Sequence, residues 1–214
     1  MTRPSRNIDQ VLIATARELL SETGCRGFSI RQLTDRAGVN LGMFHYHFKT
    51  REQFLSQVLH EVYQEMFASL TFQAHVDRPP LENLRAALKV LGHFARDHRL
   101  LMRRLMADAM SGDTTALEFF QRHIPLHLGV LAQLINAGQK TGVLQKIPLP
   151  QALSFLAGAV AFPSILVTLA TDQQLVPASF LTRFDKDVLS DAAIAQRVDM
   201  ALRGLRTERE GPHA

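Results

Sequence analysis

Ten consecutive residues, "NLGMFHYHFK" from Asn40 to Lys49, crowd together an amide, a thioether, two imidazoles, a phenol and one fixed cation around a single glycine. Such a stretch could hold a metal, build a core or touch a partner. Metal binding fits badly: on a helix His45 and His47, two residues apart, point about 200° away from each other. His123 and His127 stand at i, i+4, a spacing that can place two imidazoles on one metal, but Pro125 lies between them and distorts that geometry. A polar pocket contact and a satisfied core position remain open for this pair. Cys25 is the only cysteine, so no intrachain disulfide forms and a secreted disulfide scaffold is excluded. It is either a redox trigger or an inert thiol. The chain offers no Gly-rich phosphate loop, no strand–turn–helix nucleophile and no convincing acid–base pair or metal set. Neither an enzyme nor a cofactor is expected.

The charge is uneven. The formal net charge of the 214 residues is only +4, with 46% hydrophobic and 21% charged residues, an ordinary globular composition. Residues 1–51 hold eight basic side chains (Arg3, Arg6, Arg17, Arg26, Arg31, Arg36, Lys49, Arg51) against four acidic ones (Asp9, Glu18, Glu22, Asp35). The N-terminal quarter is therefore the basic part, and the remainder is close to neutral. The opening "MTRPSRNIDQ" has no apolar stretch of the signal-peptide kind.

The elements that position these residues are helical. Ile8, Leu12, Ala16, Leu19 and Leu20 share one face of a helix from about Ser5 to Thr23, with Gly24 as its stop. Ser29 and Gln32 have capping-box spacing and open a short second helix, broken at Gly38. Asn40 can cap a third, with Val39 and Phe44 spaced as a hydrophobic staple. Thr50 and Gln53 form another capping box and open a long fourth helix striped by Phe54, Leu55, Val58, Leu59, Val62, Met66 and Phe67. "VDRPP" at 76–80 is the clearest break. Helices follow near 81–96, 98–111, 114–140 (interrupted at Pro125), 150–171 and 187–206.

Two short helices joined by a Gly-containing turn, "SIRQLTDRAGVNLGMFHYHF", have the length and spacing of a helix-turn-helix. Ile30, Leu33, Ala37, Val39, Phe44 and Phe48 hold the pair together. The outer face of the second helix is then free to enter a major groove. Residues 8–55 resemble the DNA-binding domain of the TetR family of transcriptional repressors, through Ala16, the Gly24–Phe28 turn, Ile30, "AGV" at 37–39, Gly42, Tyr46, His47, Phe48 and the run Lys49–Leu55. The resemblance implies DNA contact by Ser29, Arg31, Asn40, Leu41, Gly42, Met43, His45, Tyr46, Lys49 and Arg51. Arg31 would meet a guanine edge, Leu41 a thymine methyl, and Tyr46, Lys49, Arg51 and Ser29 the backbone or nearby bases. Asn40 either contacts a base or caps its helix. Members of the family usually carry Thr where this chain has Met43 and Tyr where it has His45, which leaves the operator sequence open. His47 is expected to pack where the third helix meets the fourth.

The resemblance assigns sensing and dimerisation to the rest of the chain. Met102, Leu105, Met106, Met110, Phe119, Phe120, His123 and His127 are the candidate ligand pocket, since methionine fills irregular apolar space. Residues 152–171 carry no charge over 20 positions, which is spanning length for a membrane. A helix in a core or an interface is the preferred reading. Ala152, Gly158, Ala159, Val198 and Leu202 are the candidate dimer contacts.

The expectation is thus an all-α chain: a helix-turn-helix domain over 1–55, its connecting helix reaching about residue 75, a helical-bundle ligand-binding and dimerisation domain over 76–206, and a frayed tail at 207–214. It would be a cytoplasmic homodimeric repressor. Its partners would be double-stranded DNA at a palindromic operator and a small apolar or amphipathic effector. A helical-bundle binding protein or enzyme without DNA reading is the alternative.

Overall fold

The structure is a computed structural model that describes residues 5–207, with side chains from residue 8 onward. Most of the expected tail lies outside the described residues. The chain forms α1 (Ser5–Thr23), α2 (Ile30–Ala37), α3 (Leu41–His47), α4 (Arg51–His75), α5 (Pro80–Asp97), α6 (Arg99–Met110), α7 (Thr114–Lys140), α8 (Leu149–Leu156), α9 (Phe162–Asp172), α10 (Ala178–Phe184) and α11 (Asp191–Leu205). π-helical turns at Ala157–Ala161 and Asp185–Leu189 join α8 to α9 and follow α10. Among the described residues there is no strand, only an isolated bridge between Leu144 and Arg206. The fold class is all-α, as read from the sequence.

The chain divides into two compact units: residues up to Glu65 together with Leu100–His123, and Met66–Arg99 together with residues from Ile124 on. The first unit thus takes in most of α6 and the start of α7 beside the helix-turn-helix. Its core follows the predicted faces. Leu12, Ala16, Leu19 and Leu20 of α1 are buried, and so are Phe54, Leu55, Val58, Leu59 and Val62 of α4. Gly24 ends α1 at φ 70° and Gly38 ends α2 at φ 66°, both in the left-handed region that glycine adopts without a Cβ penalty.

In the second unit α5 crosses α11 and the 157–161 turn at close range. A Cβ on Gly92 would stand 2.7 Å from Ile194 Cγ2 and 3.2 Å from Val160 Cγ1, so the missing side chain sets that approach. Arg85 pairs with Asp199 at 2.8 Å, and Arg96 pairs with Asp191 while donating to the Leu189 carbonyl.

Two details depart from the sequence reading. Ser29 caps α2 by backbone conformation alone and makes no side-chain capping bond. Pro125 does not interrupt α7, which runs through it unbroken; its missing N–H costs one rung, and the flanking turns hold the helix. Pro163 is accommodated differently. The preceding turn widens, and Phe162 N–H reaches back five residues to the Ala157 carbonyl.

Candidate nucleic-acid interface

The recognition unit is built from its inner side outward. Leu33 and Thr34 of α2 and Phe44 of α3 are buried, and Val39 N–H bonds the Thr34 carbonyl across the Gly38 turn. Asn40 caps α3, its side-chain oxygen accepting from Met43 N–H at 2.9 Å. Thr50 Oγ1 accepts from Gln53 N–H at 3.2 Å and starts α4, as expected. Phe54 is the hub between these helices. Its ring lies 5.2 Å from Phe44, 4.5 Å from Phe48 and 6.1 Å from Phe28, edge-on or tilted in each case. Such pairs contribute about 0.5–1.5 kcal/mol each beyond their buried area. They fix the angle of α3 on α4.

The turn between α1 and α2 is gripped from two sides. Asp108 of α6 accepts from Cys25 N–H at 2.6 Å and Arg26 N–H at 3.4 Å. Arg51 donates to the Cys25 and Phe28 carbonyls, the latter at 3.1 Å, and pairs with Glu52. A side chain at Gly24 would put its Cβ 2.4 Å from the Asp108 carboxylate. Sequence reasoning missed Asp108 altogether, because nothing local marks a carboxylate that closes a turn 83 residues away. Arg51 thus has an inward role that the sequence did not show: three of its five N–H groups go to the Phe28 carbonyl, the Cys25 carbonyl and the Glu52 carboxylate.

What remains outward is a compact surface. Leu41 is 49% exposed and Tyr46 77%. Arg31, Gln32, Gly42, His45 and Lys49 are exposed beside them, while Ser29 and Met43 are half-buried. Arg36 is exposed but bound to Glu22 at 2.8 Å and Glu18 at 3.3 Å. His45 stands edge-on to Phe44. His47 is half-buried against Tyr46 and Phe48, with its Nε2 buried and unbonded.

Cys25 is fully buried. Burial, with Asp113 and Asp108 adding to it and Arg51 opposing, pushes its thiol up to about 12. A thiol so protonated is a poor redox trigger.

The candidate pocket residues differ in burial. Leu105, Phe119 and His123 are core, Met102, Met106, Phe120 and His127 are half-buried, and Met110 is 89% exposed at the end of α6. A cleft in the first unit, about 520 Å³, is lined by polar residues. Glu52, Gln53, Ser56, Gln57 and His60 of α4 face Thr114, Thr115, Glu118 and Arg122 of α7 across it. His123 has both ring nitrogens engaged: Nδ1 lies 2.8 Å from the Phe119 carbonyl and Nε2 lies 3.1 Å from His60 Nδ1. A carbonyl only accepts, so His123 carries its proton on Nδ1 and accepts from His60 at Nε2. No lone pair is left for a metal.

The dimer candidates divide likewise. Ala152, Val198 and Leu202 are buried in the protomer's own core, while Gly158 is exposed and Ala159 half-buried. The exposed apolar residues nearby are Phe155, Phe162, Leu166, Leu169 and Met200. Period alone could not separate the two sides of these helices, because both are apolar. Among the described residues Leu149–Asp172 is the one helical stretch long and apolar enough to cross a membrane, with mean hydropathy 2.0 and a third of it buried.

Residues 12–58 match the family model described as bacterial regulatory proteins of the tetR family. No curated protein matched. Solved structures share the fold over nearly the whole chain at low identity. A bacterial regulatory protein in the tetR family from Rhodococcus RHA1 superposes with TM-score 0.68 at 16% identity, covering 98% of this chain and all of that one. The ketosteroid transcriptional regulator of Mycobacterium tuberculosis gives 0.70 at 14%, covering 97% and 98%. The hemolysin II transcriptional regulator gives 0.64 at 18%, covering 96% and 100%.

Proposed function

With an N-terminal domain of the tetR family of bacterial regulatory proteins, the chain is, we propose, a DNA-binding transcriptional repressor, homodimeric and cytoplasmic, that leaves a palindromic operator when it binds a small apolar or amphipathic molecule. One observation carries this reading: α3 has its apolar back pinned by Phe54 and its outer face open, with Leu41, Gly42, Tyr46 and Lys49 beside Arg31 of α2. An α-helix fits the major groove, and in that docking these exposed side chains would meet base edges and phosphates. Arg31 would donate to guanine, Leu41 would meet a thymine methyl, and Tyr46, Lys49 and Ser29 would hold the backbone. Met43 and His45 would shape the operator preference. Arg51 acts indirectly, by holding the α1–α2 turn.

Dimerisation is supported by the exposed stripe of Phe155, Phe162, Leu166 and Leu169, large apolar groups that a monomer would leave in water. Two copies would present two recognition helices to two half-sites. Effector and DNA would then weaken each other by the same factor.

The test is selection of purified protein on random duplex DNA near physiological salt. Enrichment of an inverted repeat is expected. A soluble, folded protein that enriches nothing would remove the reading.

A further inference from the structure

Asn40 is held in one orientation. Its Oδ1 accepts from Met43 N–H at 2.9 Å. A backbone N–H only donates, so the atom facing it is the carbonyl oxygen, and the amide nitrogen turns away from the helix. Gly42 leaves room for this, because a Cβ there would already stand 3.3 Å from Asn40 Oδ1. Asn40, Leu41 and Gly42 are all exposed on the outer side of the recognition unit.

The chemical consequence concerns base choice. A free asparagine recognises adenine with both ends of its amide, donating to N7 and accepting from N6. Here one of the two lone pairs of Oδ1 accepts from Met43 N–H, which pins the oxygen against the start of α3. The –NH2 group, with its two donors, is the end of the amide left to reach outward. We propose that Asn40 reads a base edge made of acceptors, guanine before the others, and rejects adenine and cytosine. Guanine presents O6 and N7 and no donor in the major groove, whereas the N6 amino group of adenine and the N4 amino group of cytosine set N–H against N–H. The inference rests on the DNA-binding reading above and adds the base class to it.

The experiment is selection on random duplexes by the wild type, Asn40→Asp and Asn40→Ser, each first confirmed as folded by circular dichroism and thermal melting. All three residues can accept from Met43 N–H, so α3 stays capped. Aspartate turns the outward group into an acceptor, and serine leaves nothing long enough to reach a base. The expected pools share one inverted repeat and differ at one position per half-site. There the wild type prefers guanine over adenine by about fivefold to tenfold or more. The aspartate variant turns to cytosine, and the serine variant accepts any base. Adenine favoured by the wild type at that position, or identical pools from the wild type and Asn40→Asp, would overturn the inference and leave the DNA-binding reading intact. No enrichment by the wild type would overturn both.

Discussion

Single side chains here divide into those that face outward and those that hold something. Arg31 is exposed and belongs to the first kind. Arg31→Ala is expected to relax the preference at one base position and to cost about 1–3 kcal/mol of binding, read by titration against single-base operator variants. Arg51 belongs to the second kind. Hydrogen bonds to a charged group are worth about 1.5–3 kcal/mol. Its side chain is 26% exposed, so solvent screening brings the expected loss of folding stability in Arg51→Ala to about 1–2 kcal/mol. The slope of DNA affinity against salt should stay the same. A slope lower by about one would reveal a direct phosphate contact instead. His123 makes a pH prediction. Burial, with the Arg122 and His60 side chains adding, holds its imidazole below the usual 6.5 despite the Phe119 carbonyl. The folded protein keeps it neutral, while the unfolded chain takes up a proton below about pH 6.5. The stabilisation is therefore complete above that pH and is lost as pH falls below it. Melting temperature should drop between pH 7.5 and 5.5 more steeply in the wild type than in His123→Gln.

Helices set the geometry that those side chains use. α3 has only seven residues, too short to persist alone. It holds its place because Phe44 and Phe48 pack on Phe54 of α4. Phe54→Ala should cost about 3–5 kcal/mol, as truncations of a fully buried phenylalanine do, and should abolish operator binding at temperatures where the rest of the chain is still helical. Denaturant melting followed by helicity, beside a DNA-binding assay, separates the two losses. Loss of binding with unchanged stability would mean that Phe54 contacts DNA directly. α6 matters for a different reason. Through Asp108 it holds the N–H groups that follow α1, opposite the carbonyls that Arg51 holds. The α1–α2 turn is thus fixed by two helices outside the helix-turn-helix.

For the molecule as a whole, the question is what covers the exposed stripe on α8 and α9. Phe162 is 43% exposed and Leu166 47%. A carboxylate within such a stripe would be buried unpaired in any assembly that covers it. Leu166→Glu is therefore expected to convert dimers to monomers in sedimentation at micromolar concentration without unfolding the protomer, and to weaken operator binding steeply. A variant that still sediments as a dimer would place the interface elsewhere.

The all-α class, the α1 and α4 faces, the break at 76–80 and the helix-turn-helix were legible from local sequence, because period, capping residues and left-handed glycines act within a few positions. Thr50 Oγ1 accepts from Gln53 N–H as their spacing said, and Asn40 caps α3. α10 was not legible: seven residues with no buried side chain leave no periodic signature. The side of α8, α9 and α11 that faces the protomer's own core was equally hidden, since Val198 and Leu202 look no different in sequence from Leu166 and Met200. The tertiary structure alone decided that Arg51 turns inward, that Asp108 reaches the α1–α2 turn and that His123 pairs with His60. Hydrogen bonds between residues 26, 83 and 63 positions apart obey no sequence period. They form only where packing has already brought the helices together.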